Sequence, residues 1–267
     1  MIKKIDGKKI AEQIKDEIAQ EIYFYKGLRP NLAIILVGER PDSKLYVSLK
    51  EREAKKVGVD THIYRLDADV PGEELISVIS FLNTDETIDG ILIQLPLPEK
   101  FNTDKIIEIL DPEKDVDGFQ LAHPKYIMSP VLASIRACLE EIKFKASGKS
   151  ACVLYNSEIF GNSVRDLLKE MGIKKISEKS EEADLLITAL GKPHFIKKEM
   201  IKEDAVIIDI GITQVGEEVQ GDVDFDSVKD KGSYITPVPG GIGPMTIAFL
   251  FKNALTIFKK RCQDLGK

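Results

Sequence analysis

Leu32-Ala-Ile-Ile-Leu-Val37, closed by Gly38, is the stretch on which the fold turns. A short, continuous apolar run ended by a turn residue is a strand covered on both faces, and such strands belong to parallel sheets. Upstream, Ile10, Ile14, Ile18 and Ile22 recur every four residues among charged neighbours, the apolar stripe of an amphipathic helix. Downstream, Ser43 to Val57 reads as a helix capped by Asp42 or Ser43 and ended by Gly58. Val59 to Leu66 is strand-like, Gly72 to Leu82 helical, and Ile88 to Leu95 another apolar strand. Strand and helix alternate, so the first hundred or so residues form a parallel α/β unit. Ligands of such sheets sit beyond the carboxyl ends of the strands, where Gln94 emerges.

Lys105 to Leu110 is a short helix leading into Asp111-Pro-Glu-Lys-Asp-Val-Asp-Gly-Phe119, a charged, turn-rich connection between domains. A helix from Pro130 to Lys143 follows, and Ala151-Cys-Val-Leu154 opens a second α/β unit, with Ala183 to Leu190 and Ala205 to Ile210 as further strands. A last helix runs from Pro244 to Lys260, with proline suited to its first turn. The expectation is two α/β lobes: residues 1–120 with 244–267, an N-terminal lobe on a parallel sheet, and residues 121–243, a Rossmann-like lobe.

A length of 267 residues suits one large domain or two ordinary ones, and 43% hydrophobic with 31% charged residues provides ample core. The net charge of -6 argues against a nucleic-acid binder, which needs a basic surface. Cys138, Cys152 and Cys262 are scattered, as expected of reduced thiols in a cytoplasmic protein. No stretch has the length or apolarity of a signal peptide or a membrane span. His62, His123 and His194 lack paired-ligand spacing, so no metal is expected.

Tyr46 and Lys50 lie one helical turn apart and share a helix face. Such a pair is more often a solvated face with one anchoring aromatic, but beside a cleft it sets a flat ring next to a titratable amine. Lysine titrates at about 10.4 and shuttles protons only if burial lowers that value. Gln94 is a lone amide in an otherwise apolar strand. It either ends the strand on backbone partners or holds Lys50 without adding a charge that would raise its pKa. Pro96 and Pro98 stiffen the chain after it. Asp115 and Asp117 would face one side of an extended segment, or serve as turn-formers before Gly118. Thr236-Pro-Val-Pro-Gly-Gly-Ile-Gly-Pro-Met-Thr246 packs three glycines and three prolines into a stiff loop that a ligand can approach closely.

Four places, the Tyr46–Lys50 helix, Gly90-Ile-Leu-Ile-Gln-Leu-Pro-Leu-Pro98, Asp115-Val-Asp-Gly118 and the loop from Thr236 to Thr246, resemble the methylenetetrahydrofolate dehydrogenase/cyclohydrolase family of one-carbon metabolism, and the resemblance runs through nearly the whole chain. It implies two lobes bridged by two long helices, those at 130 and 244, with an active-site cleft between. It implies a nicotinamide coenzyme, NADP by preference and NAD as the alternative, and a homodimer acting on tetrahydrofolate derivatives. Hydride would pass from 5,10-methylenetetrahydrofolate to nicotinamide, and water would open the methenyl product to 10-formyltetrahydrofolate. Lys50 would shuttle protons, Gln94 tune it, Tyr46 stack on the substrate and Asp117 anchor the pterin. Ser43, Leu49, Leu95, Pro96, Pro239, Gly240, Gly243 and Pro244 would contact the folate. Ser129, Tyr155, Asn156, Ser157, Gly161, Ile212 and Thr246 would contact the coenzyme.

The nucleotide turn departs from the family's Gly-Arg-Ser. Here Tyr155-Asn156-Ser157 replaces it, with Gly161 retained. Ile173-Lys-Lys-Ile-Ser-Glu-Lys-Ser180 is shorter than the family's strand and its His-Ser-x-Thr segment. Lys174, Lys175 and Lys179 are candidates to meet a 2′-phosphate, whereas Glu178 would favour a plain ribose. Two rivals follow: a cyclohydrolase that has lost its coenzyme, and a catalytically silent folate-binding or interaction protein.

Overall fold

A computed structural model describes residues 1–120, 123–216 and 218–265. In chain order the elements are β1 (Lys3–Lys4), α1 (Gly7–Tyr23), β2 (Asn31–Val37), α2 (Pro41–Val57), β3 (Asp60–Leu66), α3 (Gly72–Thr84), β4 (Gly90–Ile93) and α4 (Thr103–Ile109). They continue with α5 (Pro130–Glu141), β5 (Ser150–Tyr155), α6 (Glu158–Glu170), β6 (Lys175–Ile176), β7 (Leu185–Ala189), β8 (Val206–Asp209), β9 (Thr213–Val215), β10 (Glu218–Gln220), α7 (Phe225–Val228), β11 (Tyr234–Ile235) and α8 (Ile242–Leu265). No described helix is long and apolar enough to cross a membrane.

The chain divides into two compact units. One, Glu12–Pro130 with Ile247–Lys267, is built on a three-stranded sheet in the order β3-β2-β4. β2 lies between two parallel neighbours, and Leu32 to Val37 are all buried, as a strand covered on both faces requires. β3, at the edge, alternates exposed and half-buried positions. Val37, Leu75, Ile79, Leu82, Ile91, Ile93 and Leu110 share one core beneath α3 and α4. α2 starts at Pro41 rather than at Ser43, because proline suits a first turn. Neither Asp42 nor Ser43 is the cap. Asp42 pairs with Arg40 and accepts the Ser43 amide, and Ser43 is carried inside the helix. Gly58, at φ 84°, ends α2 in the left-handed region that glycine tolerates.

The other unit, Met1–Ala11 with Val131–Thr246, holds a six-stranded parallel sheet ordered β1-β11-β8-β7-β5-β6, with β9 and β10 as a separate antiparallel pair. The strand order reverses at β5, which has β6 on one side and β7 on the other. The first residues fall here, not in the lobe of residues 12–120. β1 pairs with β11, and the Lys8 amide donates to the Gly240 carbonyl at 3.1 Å. A two-residue strand carries no periodicity, so no sequence pattern could have placed it. α1 and α8 each contain residues of both units, and the third crossing falls at Pro130, where α5 begins.

Candidate active site

In the three-stranded unit, parallel pairing brings the ends of β2 and β4 to one edge of the sheet, and α2 begins there. β4 stops at Ile93, but the Gln94 amide still donates to the Ile35 carbonyl at 2.9 Å, so the side chain leaves the sheet on a fixed backbone. Gln94 Nε2 donates to the Leu95 carbonyl at 2.8 Å, which leaves Oε1 turned outward. Lys50 Nζ donates to that oxygen at 2.9 Å. The two readings of Gln94 thus meet in one side chain, whose amide nitrogen donates to backbone and whose oxygen accepts from lysine.

Lys50 is largely withdrawn from water, and burial pushes its ammonium below the usual lysine range, against the opposing charge of Asp117. The Asp117 carboxyl is pushed up to about 6, first by burial and further by Asp115, while Lys50 pulls it down. An amine with lowered affinity for its proton therefore faces a carboxylate that titrates near neutrality.

Asp115 and Asp117 do not share a face. Residues 116–117 form a turn instead of an extended strand. Asp115 points inward and accepts the amides of Gly118, Phe119 and Gln120 at 3.0, 2.8 and 3.2 Å. Asp117 is left with no hydrogen-bond partner among the described residues. Gly118 sits at φ 62°, and a Cβ there would fall 2.1 Å from the Ile127 carbonyl oxygen. Asn253 of α8, which no spacing singled out, donates to the carbonyls of Val116 and Met128 at 2.9 and 3.0 Å and so ties the turn down.

Tyr46, 39% exposed, presents its ring on the face of α2 that carries Lys50. Ser43 shares the buried stripe of α2 with Val47, and its Oγ meets no hydrogen-bond partner among the described residues. A buried hydroxyl in that position is suited to a ligand. Leu49, Leu95 and Ser129 are half-buried, Pro96 is exposed, and the Leu95–Pro96 peptide is cis.

The remaining residues singled out in the sequence belong to the six-stranded unit. Tyr155, Asn156 and Ser157 form the turn from β5 to α6, at the point where strand order reverses, and Ser157 is the N-cap without a side-chain capping bond. A Cβ on Gly161 would lie 2.5 Å from the Tyr155 ring, so that glycine makes room for the tyrosine. The loop after Thr236 uses its glycines unequally. A Cβ on Gly241 would meet the Pro237 carbonyl oxygen at 2.6 Å, and one on Gly7 would meet the Gly241 oxygen at 1.9 Å. Gly241 therefore serves backbone packing. Gly243 is the open one, with only Ile212 Cδ1 at 3.9 Å. Pro239 is exposed after a cis peptide, Gly240 has φ 105°, Ile212 is 47% exposed, and Pro244 and Thr246 are half-buried, with Thr246 Oγ1 donating to the Gly243 carbonyl at 2.7 Å.

Two buried carboxylates escaped the sequence reading because nothing in their spacing marks them. Asp222 accepts Thr188 Oγ1 at 2.8 Å and the amides of Leu190 and Lys192 at 2.6 and 2.8 Å. Asp209, pushed up to about 7 by burial and by Asp222, accepts the amides of Gly211, Asp222 and Val223. Together they shape the loops that leave β7 and β8 beside the Tyr155 turn.

Comparison with known proteins matches the chain to two family domains. Residues 5–117 match the catalytic domain of tetrahydrofolate dehydrogenase/cyclohydrolase, and residues 130–262 match its NAD(P)-binding domain. The chain is 40% identical to the bifunctional protein FolD of Nitratiruptor sp., over 96% of this chain and 98% of that one. It is 41% identical to the same protein of Geotalea uraniireducens, over 98% and 100%. The crystal structure of FolD from Campylobacter jejuni superposes with a TM-score of 0.91 at 34% identity, covering 98% of this chain and all of that one. The chain belongs to the tetrahydrofolate dehydrogenase/cyclohydrolase family.

Proposed function

We propose that the protein oxidises 5,10-methylenetetrahydrofolate to the methenyl compound with a nicotinamide coenzyme and hydrolyses that product to 10-formyltetrahydrofolate. The observation that carries this reading is the contact of Lys50 Nζ with Gln94 Oε1 at 2.9 Å, in a setting that disfavours the ammonium form. As a neutral amine, Lys50 takes a proton from the water that adds to the methenyl carbon. As an ammonium ion, it returns a proton to the folate nitrogen when the ring opens. Gln94 aims the amine without contributing charge. Asp117, with no protein donor, is free to accept two hydrogen bonds from the aminopyrimidinone edge of a pterin. Tyr46 supplies a face for stacking, and Ser43, Leu49, Leu95 and Pro96 line the folate.

The β5–α6 turn suits a dinucleotide. It opens a helix whose N-cap side chain is uncommitted, at the reversal of strand order where such sheets bind nucleotides. Tyr155, Asn156, Ser157, Gly161, Ile212 and Thr246 of this unit would hold the coenzyme. Nicotinamide, when bound, supplies a hydride acceptor, and that step relies on orientation more than on any acid or base. A cytoplasmic homodimer completes the proposal; the three cysteines are free, as a reducing compartment would keep them.

The test is to give the purified protein methylenetetrahydrofolate with NAD or NADP and, separately, the methenyl compound. Coenzyme reduction and methenyl hydrolysis are both expected. Hydrolysis without reduction would leave only the cyclohydrolase, and neither activity would leave only a folate binder.

A further inference from the structure

The reading of the six-stranded unit as a dinucleotide site leaves open which coenzyme it takes, and the surroundings of the β5–α6 turn bear on that choice. A 2′-phosphate is dianionic and requires a free cation at the adenosine end of the site, whereas a plain ribose does not. The lysines that the sequence offered for this task lie at the wrong end of the sheet. Lys175 pairs with Ser150, which opens β5, whereas Tyr155 closes it, roughly 16 Å further along at the usual strand rise. Lys174 precedes Lys175. Lys179 is paired with Glu182 at 3.0 Å, and the Glu182 carbonyl accepts Ser150 Oγ at 3.2 Å, which holds that pair near the opening of β5 as well.

The turn itself is furnished with neutral and negative groups. Asn156 stands where the family's arginine would, and its Nδ2 donates to the Leu190 carbonyl at 3.2 Å. Glu158, in the first turn of α6, is fastened to the Tyr155 hydroxyl at 3.1 Å. The cation seated on this turn is Arg165. Its guanidinium lies over the Tyr155 ring at 4.9 Å, and Nη1 donates to Asn162 Oδ1 at 3.2 Å. Lys192, across the reversal point on the β7 side, stands over the Phe195 ring at 5.3 Å.

We propose that this protein prefers NAD to NADP, with Asn156 and Glu158 as the specificity-determining residues. Asn156 withholds the cation that a 2′-phosphate needs, and Glu158 repels the phosphate, while Arg165 is held on the tyrosine ring.

Calorimetric titration of the full chain with NAD and with NADP, without folate, tests this apart from catalysis. NADP is expected to bind at least about tenfold more weakly than NAD. The double variant Asn156→Arg, Glu158→Gln should shift that ratio toward NADP by about tenfold or more. Equal or tighter binding of NADP by the unaltered chain would overturn the proposal, as would a ratio indifferent to the double substitution. Failure to bind either coenzyme would overturn it too. Intact methenyl hydrolysis in the same preparation would then show that the fault lies in the coenzyme assignment and not in the Lys50 site.

Discussion

Buried carboxylates appear in both units, and they are used in opposite ways. Asp209 and Asp222 of the six-stranded unit each accept three hydrogen bonds from the protein, as does Asp115 of the three-stranded unit. Their lone pairs are spent on backbone amides and, at Asp222, on the Thr188 hydroxyl as well, and what they shape is a loop. Asp117, two residues from Asp115, receives no such bond and faces Lys50 instead. A saturated carboxylate is scaffold. One left unsaturated beside a desolvated amine has capacity for a ligand, and the cost of keeping it so is borne by the groups that pin its turn, Asp115 and Asn253.

Four substitutions would break or sharpen that contrast. The largest effect is expected from Lys50→Met, which should slow methenyl hydrolysis by about 10²-fold or more while folate still binds. Hydrolysis at an unchanged rate would remove Lys50 from the chemistry. Next comes Asp222→Ala, which orphans Thr188 Oγ1 and the amides of Leu190 and Lys192 and should cost about 3 kcal/mol in urea unfolding. Asp117→Asn, by contrast, should raise the unfolding midpoint at neutral pH, because it removes a carboxylate whose ionisation opposes folding, and should raise KM for folate. Comparable destabilisation by both would erase the distinction between scaffold and ligand carboxylates.

Smaller still is the effect of Gly161→Ala, whose Cβ would press on the Tyr155 ring, with an expected loss of about 2 kcal/mol. The same change in a Tyr155→Gly background should cost far less; an equal loss in both would show that helix packing, not the tyrosine, demands the glycine. The subtlest effect is on pH dependence. Asp117 can accept with both oxygens, and with full charge, only when ionised, so KM for folate should rise as pH falls through about 6, and Asp117→Asn should flatten that inflection. For stability the sign is reversed. The folded-state value of Asp117 lies above the ordinary carboxylate value, so its ionisation opposes folding, and this contribution sets in as pH rises from about 4 to about 6.

Much of this was legible in the chain because it depends on local pattern. The apolar run at Leu32 announced a central strand, Gly58 the end of a helix, and the Tyr46 to Lys50 spacing a shared face. Lys50, Gln94 and Asp117 were chosen one by one, from residue type and a family likeness. Asn253 and Asp222 were not, since an amide in a long helix and an aspartate in a polar loop look like any others. β1, β6 and β11, each two residues long, fall below the span over which periodicity can be read.

By itself the amino-acid sequence determined the alternation of strand and helix, the parallel sheets that follow from it, and the residue types available for proton transfer. Those depend on the period of apolar side chains and on side-chain chemistry, both properties of neighbours along the chain. Only the tertiary structure decided that Asp115 turns inward while Asp117 meets Lys50, that Met1–Ala11 joins the six-stranded unit, and that Lys175 pairs at the opening of β5, far from the β5–α6 turn. Each of these rests on contacts between residues distant in sequence, where register, burial and competition for hydrogen bonds settle which partner a group finds.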